Sequence, residues 1–132
     1  MIHEFDPVIY PCKLWVIVDK STKIISEEFN DYNNNLLGDF HSETCRLEAF
    51  AMMAVSKRNM EFGVILFFRD KKSMISGTVA HECVHASKHL FEHITADPRD
   101  HETFEYLVEW MVNCCEEVKH KNKVNGEDKK IG

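Results

Sequence analysis

The sequence has no excess of positive charge. Lysine and arginine number 16 against 22 aspartates and glutamates, a formal net charge of −6. Gripping a phosphate backbone usually takes a basic face, so no nucleic-acid partner is expected. Long apolar runs are missing too. The longest, AFAMMAV and VILFF, fall far short of the roughly 20 residues of a membrane-spanning helix, so no membrane partner is expected either. No basic segment followed by an apolar one opens MIHEFDPVIYPCK, which excludes a signal peptide from the expectations. There is no CxxC pair, and the five cysteines (Cys12, Cys45, Cys83, Cys114 and Cys115) show no framework spacing. Such cysteines read as reduced, mostly buried thiols of a cytoplasmic protein. Repeats and low-complexity segments are absent. What remains is 132 residues, 44% of them hydrophobic, which suits one domain with one core.

The elements follow from periodicity. KLWVIVDK (13–20), bounded by Pro11 and Asp19, reads as a buried strand. SEEFNDYNNNLLGDF reads as a short helix capped by Ser26 and stopping near Gly38. RLEAFAMMAVSKR and EFGVILFFRD flank a turn-like SKRN and read as an antiparallel hairpin. From Ser73 the period becomes helical, with Ile75, Val79, Cys83, Ala86, Leu90 and Ile94 on one stripe. That helix should stop by Asp97-Pro98. Asp100 can cap a second helix whose inner side carries Phe104, Leu107, Val108, Met111, Cys115 and Val118. The expected fold is α+β: a small, mostly antiparallel sheet of about three strands packed against two long helices. A single domain over 1–118 and a flexible, solvated tail over 119–132 complete the expectation.

His81-Glu82-Cys83-Val84-His85 matches H-E-x-x-H. Residues four apart lie one turn apart on one side of a helix, about 5–6 Å between Cβ atoms. Two imidazoles so placed can converge on one zinc ion at roughly 2.0–2.1 Å. Glu82, rotated away from the histidine row, lies beside the metal, where it can take a proton from water and pass it to a leaving group. With 8 histidines and 14 glutamates in the chain, a chance match has a probability of about 0.05, so the five letters need their context. Here that context is a strong strand before the motif, a periodic helix around it, and an acidic helix after it.

A catalytic zinc needs a third protein ligand and an open position. HETFEYLVEW (101–110) offers Glu102, Glu105 and Glu109. Glu102, Tyr106, Glu109 and Asn113 share the side opposite the apolar stripe, and Glu105 sits on its flank. Glu102, beside the Pro98 turn, is the favoured ligand; Glu105 and Glu109 are the alternatives, and a solvated acidic face accounts for the two that do not bind. His89 extends the histidine row as a substitute ligand. His93 drifts toward the apolar stripe, as a structural histidine does, and His101 reads as exposed. The longer pattern H-E-x-x-H-x-x-G-x-x-H fails at Lys88 and Phe91. Cys83 belongs to the apolar stripe.

TVAHECVHA and HETFEYLVEW resemble the zincin superfamily, and within it the gluzincins, whose third ligand is a glutamate on the following helix. The order KLWVIV, FGVILFF, VAHECVHA, ETFEYL, covering most of 13 to 118, is similar to small zincin-like proteins encoded by phages and prophages, including those of gut Bacteroides-type bacteria. The resemblance implies that His81, His85 and Glu102 hold zinc, that Glu82 is the catalytic base, and that Tyr106 supports the site. It also implies that the strand at 62–68 borders a cleft where an extended peptide adds as a further strand. Glu105 departs from the pattern, because that position is usually small.

The expected function is therefore a zinc-dependent metallopeptidase acting on a peptide or protein substrate. One rival is a non-catalytic metal-binding or interaction module on the same scaffold, since fold and function separate readily. The other is a structural zinc whose sphere His89 or Cys83 would close.

Overall fold

The computed structural model describes residues 1–33, 35–37, 48–97, 99 and 101–131, with the side chains of the last helix from 102 to 121. Along the chain the elements are β1 (Ile2–Phe5), β2 (Lys13–Val18), α1 (Lys23–Glu28), β3 (Phe29–Asn30), β4 (Ala49–Ser56) and β5 (Phe62–Phe68), then a 3-10 turn (Lys71–Ser73), α2 (Ser76–His93) and α3 (His101–Ile131). The strands form one sheet in the order β1-β2-β5-β4-β3. β2 and β5 pair in parallel, Lys13 opposite Gly63 through Val18 opposite Phe68. The other neighbours pair antiparallel.

The two central strands are continuously apolar because both faces of the sheet are covered. Leu14, Val16, Val64, Leu66 and Phe68 point toward the α2–α3 layer and pack with Val79, Leu90 and Met111. Trp15, Ile17, Ile65 and Phe67 point the other way and pack with Ile25 of α1, Phe29 and Ala54. Burial of each large side chain contributes about 1.5–3 kcal/mol.

The α+β class stands, but among the described residues the sheet has five strands and is mixed, and there are three helices. β1 was not expected because IHEF carries charge and lacks alternation. It holds to the edge of β2 by its ladder and by the indole Nε1–H of Trp15, which donates to Glu4 Oε1 at 2.9 Å. The helix expected to start at Ser26 starts at Lys23, and the Ser26 hydroxyl donates back to the Lys23 carbonyl at 3.0 Å instead of capping. The chain then turns extended at Phe29, whose buried ring and pairing with Ser56 end the helix early. Gly38 and Cys45 lie outside the described residues, as do Pro98 and Asp100.

The β4–β5 hairpin forms as expected, with Val55 opposite Phe62 and Ala49 opposite Phe68. Beyond β5, Asp70 accepts from the backbone N–H of Ser73 at 2.8 Å and from its hydroxyl at 2.9 Å, which aims the chain into α2. Those same bonds hold the Asp70 carboxyl below the usual range. Ile75 leaves the expected stripe: it precedes the first helical turn with extended backbone and is 60% exposed. α2 stops at His93, before the Asp97-Pro98 limit. Thr95 takes a left-handed conformation (φ 56°), Ala96 N–H bonds to the Phe91 carbonyl at 2.8 Å, and Thr95 N–H bonds to that of Glu92 at 3.3 Å. This is the Schellman arrangement, built here without glycine.

α3 packs antiparallel on α2. Cys83 Sγ meets Cys115 Sγ at 3.9 Å, Ser87 Oγ donates to Met111 Sδ at 3.4 Å, and the rings of Phe91 and Phe104 stand 5.3 Å apart. The backbone stays helical to Ile131, past the domain limit of 118 read from the sequence. Lys71 Nζ donates to the Lys119 carbonyl at 3.0 Å, which ties the first residues beyond that limit to the 3-10 turn. Among the described residues no helix is long and apolar enough to cross a membrane.

Candidate metal centre

α2 buries Val79, Cys83, Ala86 and Leu90 in the core. The 100° step per residue then turns His81 and His85 to the opposite, exposed side. Their Nε2 atoms stand 3.1 Å apart, with ring centroids at 4.7 Å and planes at 73°. Two nitrogens bound to one tetrahedral zinc at about 2.05 Å would be roughly 3.3 Å apart, close to the spacing of this pair. Both histidine positions therefore fit the metal that the motif implies.

Glu82 is half-buried on the flank of the pair. Glu82, His89 and His93, spaced seven and then four residues apart, share that flank. His89 and His93 line a cavity of about 480 Å³ between α2 and β4, together with Asp31, Tyr32, Met52 and Met53. His93 is fixed in this wall: its ring stacks on Phe62 at 3.9 Å between centroids, and its Nδ1 lies 3.4 Å from the Tyr32 hydroxyl. A structural histidine was the expectation there, and its partners are now explicit.

The cleft borders β4, not β5. β5 is paired on both edges, by β2 and by β4, so no peptide can add to it. On β4, β3 pairs with Val55 and Ser56, and among the described residues Ala51 to Ala54 pair with no strand other than β5. It is the family resemblance that points to β5, and the apolarity of that run does not support an edge. Continuous apolarity marks a central strand, whereas an edge is recognised only once the strand order is known.

The carboxylates of α3 do not gather on the histidine pair. Glu102, Glu105 and Glu109 are exposed, and among the described residues no three histidine, cysteine or acidic side chains stand close enough to hold one ion. The helix register gives the reason. Phe104 meets Phe91, so Glu102 lies toward the far end of α2, more than about 9 Å along its axis from His85. By the Cys83–Cys115 and Ser87–Met111 contacts, Asn113 stands level with His85 and Glu109 with His89. Glu116, near the level of His81, is turned to His120 at 3.3 Å. Tyr106 lines a different, apolar hollow with Pro7, Ile9 and Trp110 beside the β1–β2 connection.

Cys83 faces the core and Cys115, away from the histidines. The Cys115 thiol is pushed well up, first by its hydrogen bond with Cys83 and then by burial. Burial alone raises Cys12 to about 11 and, as the largest cause, Cys114 to about 12. At neutral pH these three are thiols, poor as ligands and as nucleophiles. Of the histidines, His3 is depressed below its ordinary value, by burial first and then by Lys121, far from the motif in sequence.

Compared with known families, curated proteins and solved structures, the chain matches none.

Asp31, Tyr32, Met52, Met53 and Glu92 are site residues that the sequence reading missed. Asp31 and Tyr32 sit in what reads as a helix, and the two methionines in what reads as plain strand. Only the placement of β4 beside α2 joins them.

Proposed function

We propose that the chain is a small zinc-dependent metallopeptidase. The observation that carries this reading is the His81–His85 pair, with Nε2 atoms 3.1 Å apart on an exposed helix face. Glu82 stands half-buried on the flank that leads to the cavity along β4. When bound, zinc supplies Lewis-acid polarisation and lowers the pKa of water. His81 and His85 would hold it. Glu102 is proposed as the third ligand on the resemblance of HETFEYLVEW to the gluzincin helix, and the α2–α3 register weighs against it. The Glu82 carboxylate accepts a proton from the attacking water and delivers it to the departing amine nitrogen. An extended substrate adds to the outer edge of β4, its backbone pairing along Ala51 to Ala54, which among the described residues pair with no strand other than β5.

One observation favours a second reading. With no third donor gathered beside the pair among the described residues, a non-catalytic metal-binding or interaction module on this scaffold accounts for the same geometry. Glu82→Gln separates the two. The peptidase reading expects zinc to stay bound while hydrolysis of a denatured-casein substrate is lost. Hydrolysis that persists in Glu82→Gln, or zinc that leaves with it, contradicts the role given to Glu82.

A further inference from the structure

We infer that the cavity beside β4 is a subsite for a basic side chain, lysine or arginine, of the bound peptide. The inference rests on the peptide-binding reading above and adds the class of residue that the site selects. Asp31 and Glu92 bring two carboxylates to the lining, which among the described residues includes no lysine or arginine. Asp31 is held in place: its Oδ1 accepts from the backbone N–H of Asn33 at 2.9 Å and of Asn35 at 2.8 Å. Glu92, one turn beyond Lys88 on α2, is exposed at the rim.

The rest of the wall suits the stem of such a side chain. Met53, on the face of β4 turned to α2, gives a soft apolar surface, and the alkyl portion of lysine or arginine lies readily along one. Tyr32, packed edge-on to Phe62 at 5.0 Å between centroids, adds a ring that attracts a cation to its face. The acids are not arranged for an inorganic ion. Asp31, Glu92, His89 and His93 all line the cavity, yet no three of them converge to metal-holding distance. Two carboxylates spread around about 480 Å³ fit a side chain rather than an ion. The outer edge of β4, which among the described residues pairs with no strand from Ala51 to Ala54, runs past the same cavity, so a strand paired there would send one side chain into it.

The test is binding of a fluorescein-labelled seven-residue valine–threonine peptide with one central lysine, against the same peptide with glutamine or glutamate there. Fluorescence anisotropy is read at pH 8, above the general imidazole range, on the full chain carrying Glu82→Gln so that nothing is cleaved. The lysine peptide is expected to bind about five- to tenfold more tightly than the glutamine peptide, the glutamate peptide most weakly. Adding Asp31→Asn and Glu92→Gln should cut the lysine advantage to less than about twofold. Asparagine keeps the acceptor that the loop uses, and circular dichroism verifies that the variant is folded. Equal binding of the three peptides, a lysine advantage that survives both substitutions, or no binding of any of them at millimolar concentration overturns the subsite. Zinc uptake and hydrolysis by the wild type are scored separately. Their absence with the lysine preference intact removes the peptidase and leaves the subsite, whereas hydrolysis without the preference removes the subsite alone.

Discussion

His81 and His85 owe their proximity to nothing outside α2. Four residues separate them, the helix brings them onto one face, and the rings meet at 3.1 Å without help from any other element. Such a pair is legible in a sequence because its geometry is local. The third ligand is not local, and this is where the reading from sequence and the structure part. Glu102 recommends itself by its place near the end of the inter-helix link. Its distance from the histidines, however, depends on which turn of α3 docks on which turn of α2, and Cys83, Ser87 and Phe91 set that register through Cys115, Met111 and Phe104. The proposal is decided by competitive zinc titration against a chelator with Glu102→Ala, Glu105→Ala and Glu109→Ala. If Glu102 is a ligand, its removal weakens zinc at least about tenfold while the other two change affinity less than about twofold. An unchanged Glu102→Ala withdraws it, and a loss confined to Glu109→Ala moves the third ligand to the turn that lies level with His89.

Among the elements, β2 and β5 were legible and β1 and β3 were not. KLWVIV and FGVILFF are buried on both faces, so their composition is nearly all apolar and announces a strand. β1 has four residues with His3 and Glu4 among them, and β3 has two. Neither is long enough to show a period, and pairing with a neighbour defines each. Parallel pairing of β2 with β5 was equally hidden, because it depends on where the chain returns after α1, β3 and β4. Gly63 tests that pairing. A Cβ there would stand 2.5 Å from the Lys13 carbonyl oxygen and 2.5 Å from the Trp15 ring. The indole cannot easily yield, since Glu4 holds its Nε1 at 2.9 Å and the Phe29 ring packs on it at 4.8 Å. Gly63→Ala is expected to cost about 1–3 kcal/mol in urea unfolding. An unchanged midpoint would mean that Lys13 and Gly63 are not neighbours.

At the scale of the molecule, the sheet buries one face against α2 and α3 and leaves α2 with its histidines outward. β4 lies alongside, and among the described residues Ala51 to Ala54 pair with no strand other than β5. The cavity between them arises from strand order and helix placement together, and for that reason Asp31, Tyr32 and Glu92 carry no signal in the sequence. A short chain with one helix pair has little material to enclose a substrate, so the account depends first on whether the exposed pair takes a metal at all. That is answered by the zinc content of the full chain, purified without chelator, compared with His85→Ala. The account predicts near one equivalent of zinc in the wild type, because two imidazoles suit a borderline-soft divalent ion, and close to none in the variant. A wild type that carries no zinc and fails to take it up when offered, or a His85→Ala variant that binds as much as the wild type, contradicts it.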